Sequence, residues 1–258
     1  MRELDLSKEE DKIYLKTYII EKFREKLTAR MIYPIKSVGS GRGGIDVYMN
    51  EDIEIPVPVI SKEMIYIQDT VEQDVDKLVS LVAETEDRLL FSGETTDWKA
   101  LGIEGLSTAT GRHRVSASGR WERYENLIND ILVAKNMLGD NPSVLIIPWG
   151  MNRLFHETYW YPDSLDKEPL TIKNYLLKEK IVNEVISTKN LYAADGGVDS
   201  ALLVVPGENR FYAAQDLHAE VLMWGTEDGV YTITLRETIA PIIKKPESIV
   251  EIQLIPIY

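Results

Sequence analysis

The chain contains no cysteine, and that single absence excludes disulfides, thiolate nucleophiles and thiolate metal sites. Histidine is almost missing too. His113, His156 and His218 are the only three, and none has a second histidine or a carboxylate at the spacing of an HExxH motif. His156 and Glu157 stand alone on an expected short helix, and Asp216 and His218 would share one side of a strand. A hydrolytic triad needs a nucleophile, a base and an orienting acid brought together. Ser116 and Ser118 lie near His113, but no G-x-S-x-G elbow marks either serine. No catalytic or metal-binding residue is singled out, so neither an enzyme nor a cofactor is expected.

Other absences narrow the class further. No apolar run approaches the ~20 residues that a membrane-crossing helix needs. The opening stretch, MRELDLSKEEDK, is too charged for a secretory signal, so the expected location is cytoplasmic, without a membrane partner. Positive charge is in deficit. Its 29 basic residues against 42 acidic ones give a formal net charge of −13, which argues against nucleic acid as a partner. The glycine-rich segment 37–44, SVGSGRGG, lacks the Gly-Lys-Ser/Thr ending of a phosphate loop, and no helix signal follows it. The five tryptophans are scattered along the chain and are expected in the core or at interfaces.

What is present is led by residues 71–106, VEQDVDKLVSLVAETEDRLLFSGETTDWKALGIEGL. Val71, Val75, Leu78, Val79, Val82, Leu89 and Leu90 recur at helical spacing with charges between them. Gly93 is placed to end that helix in a left-handed conformation. A polar loop leads from there to the compact turn Gly102-Ile103-Glu104-Gly105-Leu106. A long amphipathic helix ending in FxG, a loop, then GIxGL resembles the spine-helix region of encapsulin shell proteins and related phage capsid proteins. Two later stretches extend the resemblance in the same order. Ala214-Gln215-Asp216-Leu217 is similar to the encapsulin GQDL segment, with Ala where Gly is usual. Arg236-Glu237-Thr238 followed by residues 245–250, KPESIV, is similar to the closing ET…xPEAIV pattern.

The remaining organisation follows from periodicity. Residues 8–30 read as a first helix: Ser7 with Glu10 makes a capping box, and Ile13, Ile20, Phe23 and Leu27 share one face. Tyr14, Tyr18 and Ile19 make the apolar stripe broader than a helix resting on one surface requires. Residues 45–70 hold strand-like segments, in which Pro56 and Pro58 confine their strand to an edge or an extended arm. A second amphipathic helix over 120–138 carries Trp121, Tyr124, Leu127, Ile128, Ile131, Leu132 and Leu138 on its apolar side, and Gly139 ends it. Residues 143–148, SVLIIP, suit a buried central strand. A short helix at 149–159, an exposed loop at 161–170, a helix at 172–182 and strands near 183–188, 200–205 and 210–214 follow. From Leu217 onward the chain is almost all β, with Glu227-Asp228-Gly229 as a hairpin signal. Ile233 and Leu235 fall on one face of a strand whose other face carries Thr232, Thr234 and Arg236. Interleaved helices and strands with a terminal meander spell α+β.

The resemblance implies a phage-capsid-like fold of the Hong Kong 97 type. Its expected parts are an N-terminal helix and arm at 1–36, an extended-loop region at 37–70, a peripheral domain at 71–119 and 215–258, and an axial domain at 120–214. The extended arm is shorter than the family's. The implied function is a self-assembling, icosahedral nanocompartment shell around a cargo protein that docks through a short targeting peptide; iron-handling or peroxidase enzymes are the cargo the family suggests. The matching N-terminal helix in encapsulins lines the cargo groove, which makes Ile13, Ile20, Phe23, Ile252 and Ile257 the candidate docking residues; a helix packed on its own core is the competing reading. By order along the chain, the 161–170 loop is the candidate pore rim, with Asp163, Asp166, Lys167 and Glu168 facing the opening. Some encapsulins bind flavin beside a tryptophan near the arm, and residues 45–91 contain none, so flavin binding is not implied. The alternatives are a viral or proviral major capsid protein and an unrecognised cytosolic enzyme.

Overall fold

A computed structural model describes residues 8–33, 35–37, 44–49, 51–56, 59–67, 71–93, 103–157, 159–160, 169–191, 200–223 and 230–255. Helix α1 (Glu9–Lys26) has Glu9, Glu10 and Asp11 in its first turn and Arg24 and Lys26 in its last, which complements the helix dipole. Ser7 of the expected capping box lies outside the described residues, and Lys8 at the N-cap contributes no side-chain cap. The buried face is Leu15, Ile19 and Phe23, a ladder of i, i+4 neighbours. This corrects the face read from sequence: Ile13 points the opposite way and is 58% exposed, and Ile20 is half-buried. The helix also ends before Arg30; Leu27 leaves helical geometry, and a single 3-10 turn covers Ala29–Met31.

Strand β1 (Ile35–Ser37) is followed by β2 (Gly44–Met49), β3 (Glu51–Pro56) and β4 (Val59–Ile67). Among the described residues β2 and β3 pair only with each other, which suits Pro56 at the end of β3. Helix α2 (Val71–Ser92) is the long amphipathic helix expected from sequence. Next come β5 (His113–Ser116), α3 (Tyr124–Leu138) and β6 (Val144–Pro148). Trp121 lies in the turn before α3, fixed by its indole N–H donating to Asp130 Oδ2 at 2.9 Å. Leu132, assigned to the apolar side of this helix, faces outward instead.

A 3-10 turn leads into α4 (Asn152–Glu157), and a small antiparallel pair, β7 (Tyr159–Trp160) with β8 (Leu170–Thr171), flanks the 161–168 segment. Thr171 caps α5 (Ile172–Lys178) by accepting from Asn174 N at 3.2 Å. That helix stops short of the expected Val182 because the chain turns at Lys180, which has φ 54°. The last strands are β9 (Glu184–Thr188), β10 (Ser200–Val204), β11 (Arg210–Met223), β12 (Val230–Ile242) and β13 (Ile249–Gln253). β11 is one strand where the sequence suggested two, and it crosses residue 214, the expected domain boundary. Its register against β12 slips between Ala213 and Gln215 and again between Gln215 and His218, so bulges absorb the polar Gln-Asp interruption.

Two main sheets result, ordered β1-β11-β12-β4 and β5-β13-β10-β6-β9. β13 does not continue a terminal meander. It crosses to the second sheet and lies antiparallel to β10 and parallel to β5. The buried side chain of Asn209 holds the crossing: its Oδ1 accepts from Lys245 N at 2.8 Å, and its Nδ2 donates to Ser248 Oγ at 3.0 Å. One amide therefore ties the chain entering β11 to the chain leaving β12.

The second sheet is apolar on both faces. Val144, Ile146, Leu202 and Val204 join a core shared with α1, α2 and the first sheet, whereas Leu145, Ile147, Ala201 and Leu203 join a core shared with α3, α4 and α5. Alternation along each strand divides the two cores, and every residue of β6 and β10 is buried.

Candidate assembly elements around the spine helix

The end of α2 shows why its sequence signature has the form it does. The last four carbonyls of a helix lack intrahelical partners, and here each finds one. Gly93 N donates to Leu89 O at 2.9 Å and Leu106 N to Leu90 O at 3.1 Å. Phe91 O accepts from Ser107 N at 2.7 Å and from Ser107 Oγ at 2.9 Å, and Ser92 O accepts from Thr108 Oγ1 at 3.0 Å. The two glycines permit this docking. Gly93 has φ +68°, and a Cβ on Gly105 would lie 2.5 Å from the Phe91 carbonyl carbon, far inside contact distance.

The middle of α2 carries a buried charge cluster. Glu86, Asp87 and Glu237 are each at most 3% exposed. Arg30 Nε donates to Glu86 Oε1 at 2.6 Å, its Nη2 donates to Glu86 Oε2 at 3.0 Å, and the same Nη2 pairs with Glu237. The guanidinium also lies over the Phe23 ring, 5.4 Å from its centre. Asp87 accepts from Ala29 N at 2.9 Å and from Thr28 N at 3.1 Å, so it satisfies the amides that open the 3-10 turn after α1. Burial, and then the neighbouring Glu86 charge, hold Glu237 well above the usual carboxylate range despite Arg30. Burial raises Asp87 to about 6, against the lowering effect of its backbone hydrogen bonds.

Sequence reasoning missed this cluster, although a signal was present. Glu86 sits where the apolar stripe of α2 runs from Val82 to Leu89 and Leu90, and Glu237 falls on the inward phase of β12 with Ile233, Leu235 and Ile239. A charge on an apolar phase requires a buried partner.

The residues singled out for docking do not form one surface. Ile13 is exposed, Ile20 half-buried, Phe23 2% exposed and Ile252 fully buried, while Ile257 lies outside the described residues. Asp163, Asp166, Lys167 and Glu168 also lie outside them; the structure places the β7–β8 pair at the two ends of their segment. Among the described residues no three His, Asp or Glu side chains gather as a metal site, and no helix is long and apolar enough to cross a membrane.

No protein-family model matches the chain, and no curated protein matches it by sequence. Solved structures do match, over almost the whole length. A virus-like particle protein from Pyrococcus furiosus aligns with 93% of this chain and 97% of its own, at TM-score 0.62 and 16% identity. A phage-related protein from Bordetella bronchiseptica aligns over 92% of this chain and 95% of its own, at TM-score 0.61 and 13% identity. The capsid protein of a native GTA particle aligns over 90% and 91%, at TM-score 0.60 and 11% identity.

The chain has the Hong Kong 97-type capsid fold.

In this capsid fold the first sheet, α1 and α2 share one core, and α3 to α5 pack on the far side of the second sheet. The buried cluster joins three elements of the first core, α2, β12 and the turn after α1. Its protonation bears on stability in one direction. A carboxyl whose pKa is raised in the fold binds its proton more tightly in the folded chain. For Asp87 that stabilisation is complete below its ordinary 3.8 and is lost as pH rises through about 6. Its size is on the order of 3 kcal/mol. Thermal unfolding followed between pH 7.5 and pH 5 should therefore show a rise in Tm on acidification. Asp87→Asn, which keeps the amide-facing oxygen and removes the charge, should flatten that rise; an unchanged slope would show that Asp87 does not titrate in this window.

Proposed function

We infer that this chain is the wall subunit of a closed icosahedral compartment that encloses a cargo protein. The observation that carries this reading is the near-complete, two-way overlap with a virus-like particle protein, over 93% of this chain and 97% of that one. The balance of 29 basic to 42 acidic residues supports a protein content over a packaged genome, because a negative wall repels a polyanion. A viral or proviral capsid protein is the second reading, favoured by the phage and GTA proteins among the structural matches. Compartment walls of this kind are read as cytoplasmic. Size-exclusion chromatography with negative-stain microscopy tests assembly. Closed particles of uniform size are expected, since two or more interfaces of ~800 Å² a side hold each subunit. A chain that runs stably as a 29.4 kDa monomer defeats this reading, and nuclease-protected nucleic acid inside the particles favours the viral one.

Two finer parts of the reading concern the lumen and the openings. Cargo docking is assigned to the outward side of α1, where Ile13 is exposed and the Tyr14 ring stacks with Tyr18 at 6.4 Å between centres. Phe23, being in the core, is expected to serve folding. A peptide with two or three apolar anchors binds weakly at one site, and many sites on one wall convert that into capture of an oligomeric cargo. Ile13→Asp should leave particles intact and empty; particles that still fill normally move the docking site elsewhere.

The 161–168 segment, carrying Asp163, Asp166, Lys167 and Glu168, is assigned to a pore rim because β7 and β8 bring its ends together as a hairpin stem. A ring of carboxylates draws cations and slows anions. Replacing Asp163, Asp166 and Glu168 with Asn or Gln should change the rate at which a cation enters intact, loaded particles. An unchanged rate removes these residues from the rim.

A further inference from the structure

The outward face of α3 differs from the other solvent-facing helical surface of comparable length. Its exposed positions are Glu125, Asn129, Leu132, Val133, Asn136 and Met137. They form one continuous arc of about 140° at 3.6 residues per turn. Only Glu125, in the first turn, is charged. On α1, six of the nine exposed positions carry charge, as a helix facing water ordinarily does. Leu132, Val133 and Met137 are 41%, 38% and 46% exposed, yet the chain's own core does not need them. Leu127, Ile131, Ala134 and Leu138 already fill the inner side against the second sheet.

Apart from Glu125, the charged groups of this helix are turned away from the arc. Asp130 is buried, accepting from Trp121 Nε1 and from Ser118 N at 3.0 Å. Lys135 reaches around the helix end to donate to Asn141 O. What remains outside is aliphatic and amide surface, depleted of charge and carrying a methionine, which is the composition of an interface centre rather than a wetted helix.

We propose that this arc is a subunit–subunit contact, covered in the assembled particle by a second copy of this chain. The proposal rests on the shell reading above and names one of the surfaces that reading requires. Charge selects the occupant. Each copy carries a net −13, so copies brought together repel unless the surfaces that meet are nearly free of carboxylates. This arc meets that condition, and the charged face of α1 does not. An anionic partner would need cations, and the arc presents none.

The test compares wild type with two variants of the full chain in the assembly assay. The double substitution Leu132→Glu with Met137→Glu places two carboxylates on the face. Asn129→Asp with Asn136→Asp places two charges there with almost no change of shape at positions already exposed, so it preserves the fold if the first variant does not. Far-UV circular dichroism and Tm report whether each subunit is folded. Folded variants should raise the concentration needed for half-assembly by more than about tenfold, a shift of about 1.4 kcal/mol per subunit, or remain unassembled. A folded variant that assembles at the wild-type concentration overturns the proposal. So does a variant that assembles normally and loses only co-purifying cargo, because the face would then bind another molecule. Wild type that never assembles overturns the shell reading itself, and the wild-type arm keeps that failure distinct from failure of this face.

Discussion

Everything around the spine helix depends on the burial of three carboxylates about one guanidinium. Arg30 reaches Glu86 on α2 and Glu237 on β12, residues separated from it by 56 and 207 positions along the chain. Asp87, the next residue on α2, fixes the backbone of Thr28 and Ala29. Such a cluster is weak evidence for net stability, because desolvating the ions costs about as much as their attraction returns. Its consequence is geometric. Removing one partner leaves an uncompensated buried charge, at a typical cost of ~3–5 kcal/mol, so α1, α2 and β12 have one permitted arrangement. Apolar packing alone would allow α1 to slide or roll on its neighbours, since Leu15, Ile19 and Phe23 are interchangeable greasy contacts.

The far end of α2 obeys the same requirement that buried polar groups find partners. Four terminal carbonyls are satisfied by Gly93, Leu106, Ser107 and Thr108, and two glycines provide the room. Asn209 repeats the device where the chain passes twice between the sheets, binding Lys245 N and Ser248 Oγ. Polar groups thus set the junctions in this fold, and alternating apolar strands fill the layers between them. Sequence identities of 11% to 16% with the matching structures are compatible with this division of labour, because a layer accepts many apolar side chains provided that phase and volume are kept.

The same division explains what could be read from the sequence. The spine helix was legible along its length, and so were its glycine stop and the order of the later motifs, because periodicity and glycine geometry are local properties. The chosen face of α1 was not. Ile13 and Tyr14 are apolar and exposed, and a periodic pattern does not distinguish an apolar stripe that faces the core from one that faces another molecule. Leu132 on α3 was misassigned for the same reason. β13 was recognisable as a strand, but alternation specifies its faces and not its neighbours, so its place between β10 and β5 was not visible. The buried carboxylates were legible only as anomalies, charges on the inward phase of α2 and β12.

Counting charge within the cluster shows where its sensitivity lies. Arg30 pairs with both Glu86 and Glu237, and Glu237 is held well above the usual carboxylate range because burial and the Glu86 charge both oppose its ionisation. Asp87 accepts instead from backbone amides. Its partners are the amides of Thr28 and Ala29 and the Thr28 hydroxyl, and burial raises it to about 6 against their lowering effect. Those two amides belong to the turn that follows α1, the helix whose outward side remains open. A change of one proton at Asp87 therefore acts on the point where α1 is anchored to the spine helix, while the Arg30–Glu86 pair beside it keeps the helices in register. A group buried with dipoles for partners thus couples proton uptake near pH 6 to the anchoring of the N-terminal helix, whereas in the second sheet the buried Glu251 is paired directly with Arg112 at 2.7 Å.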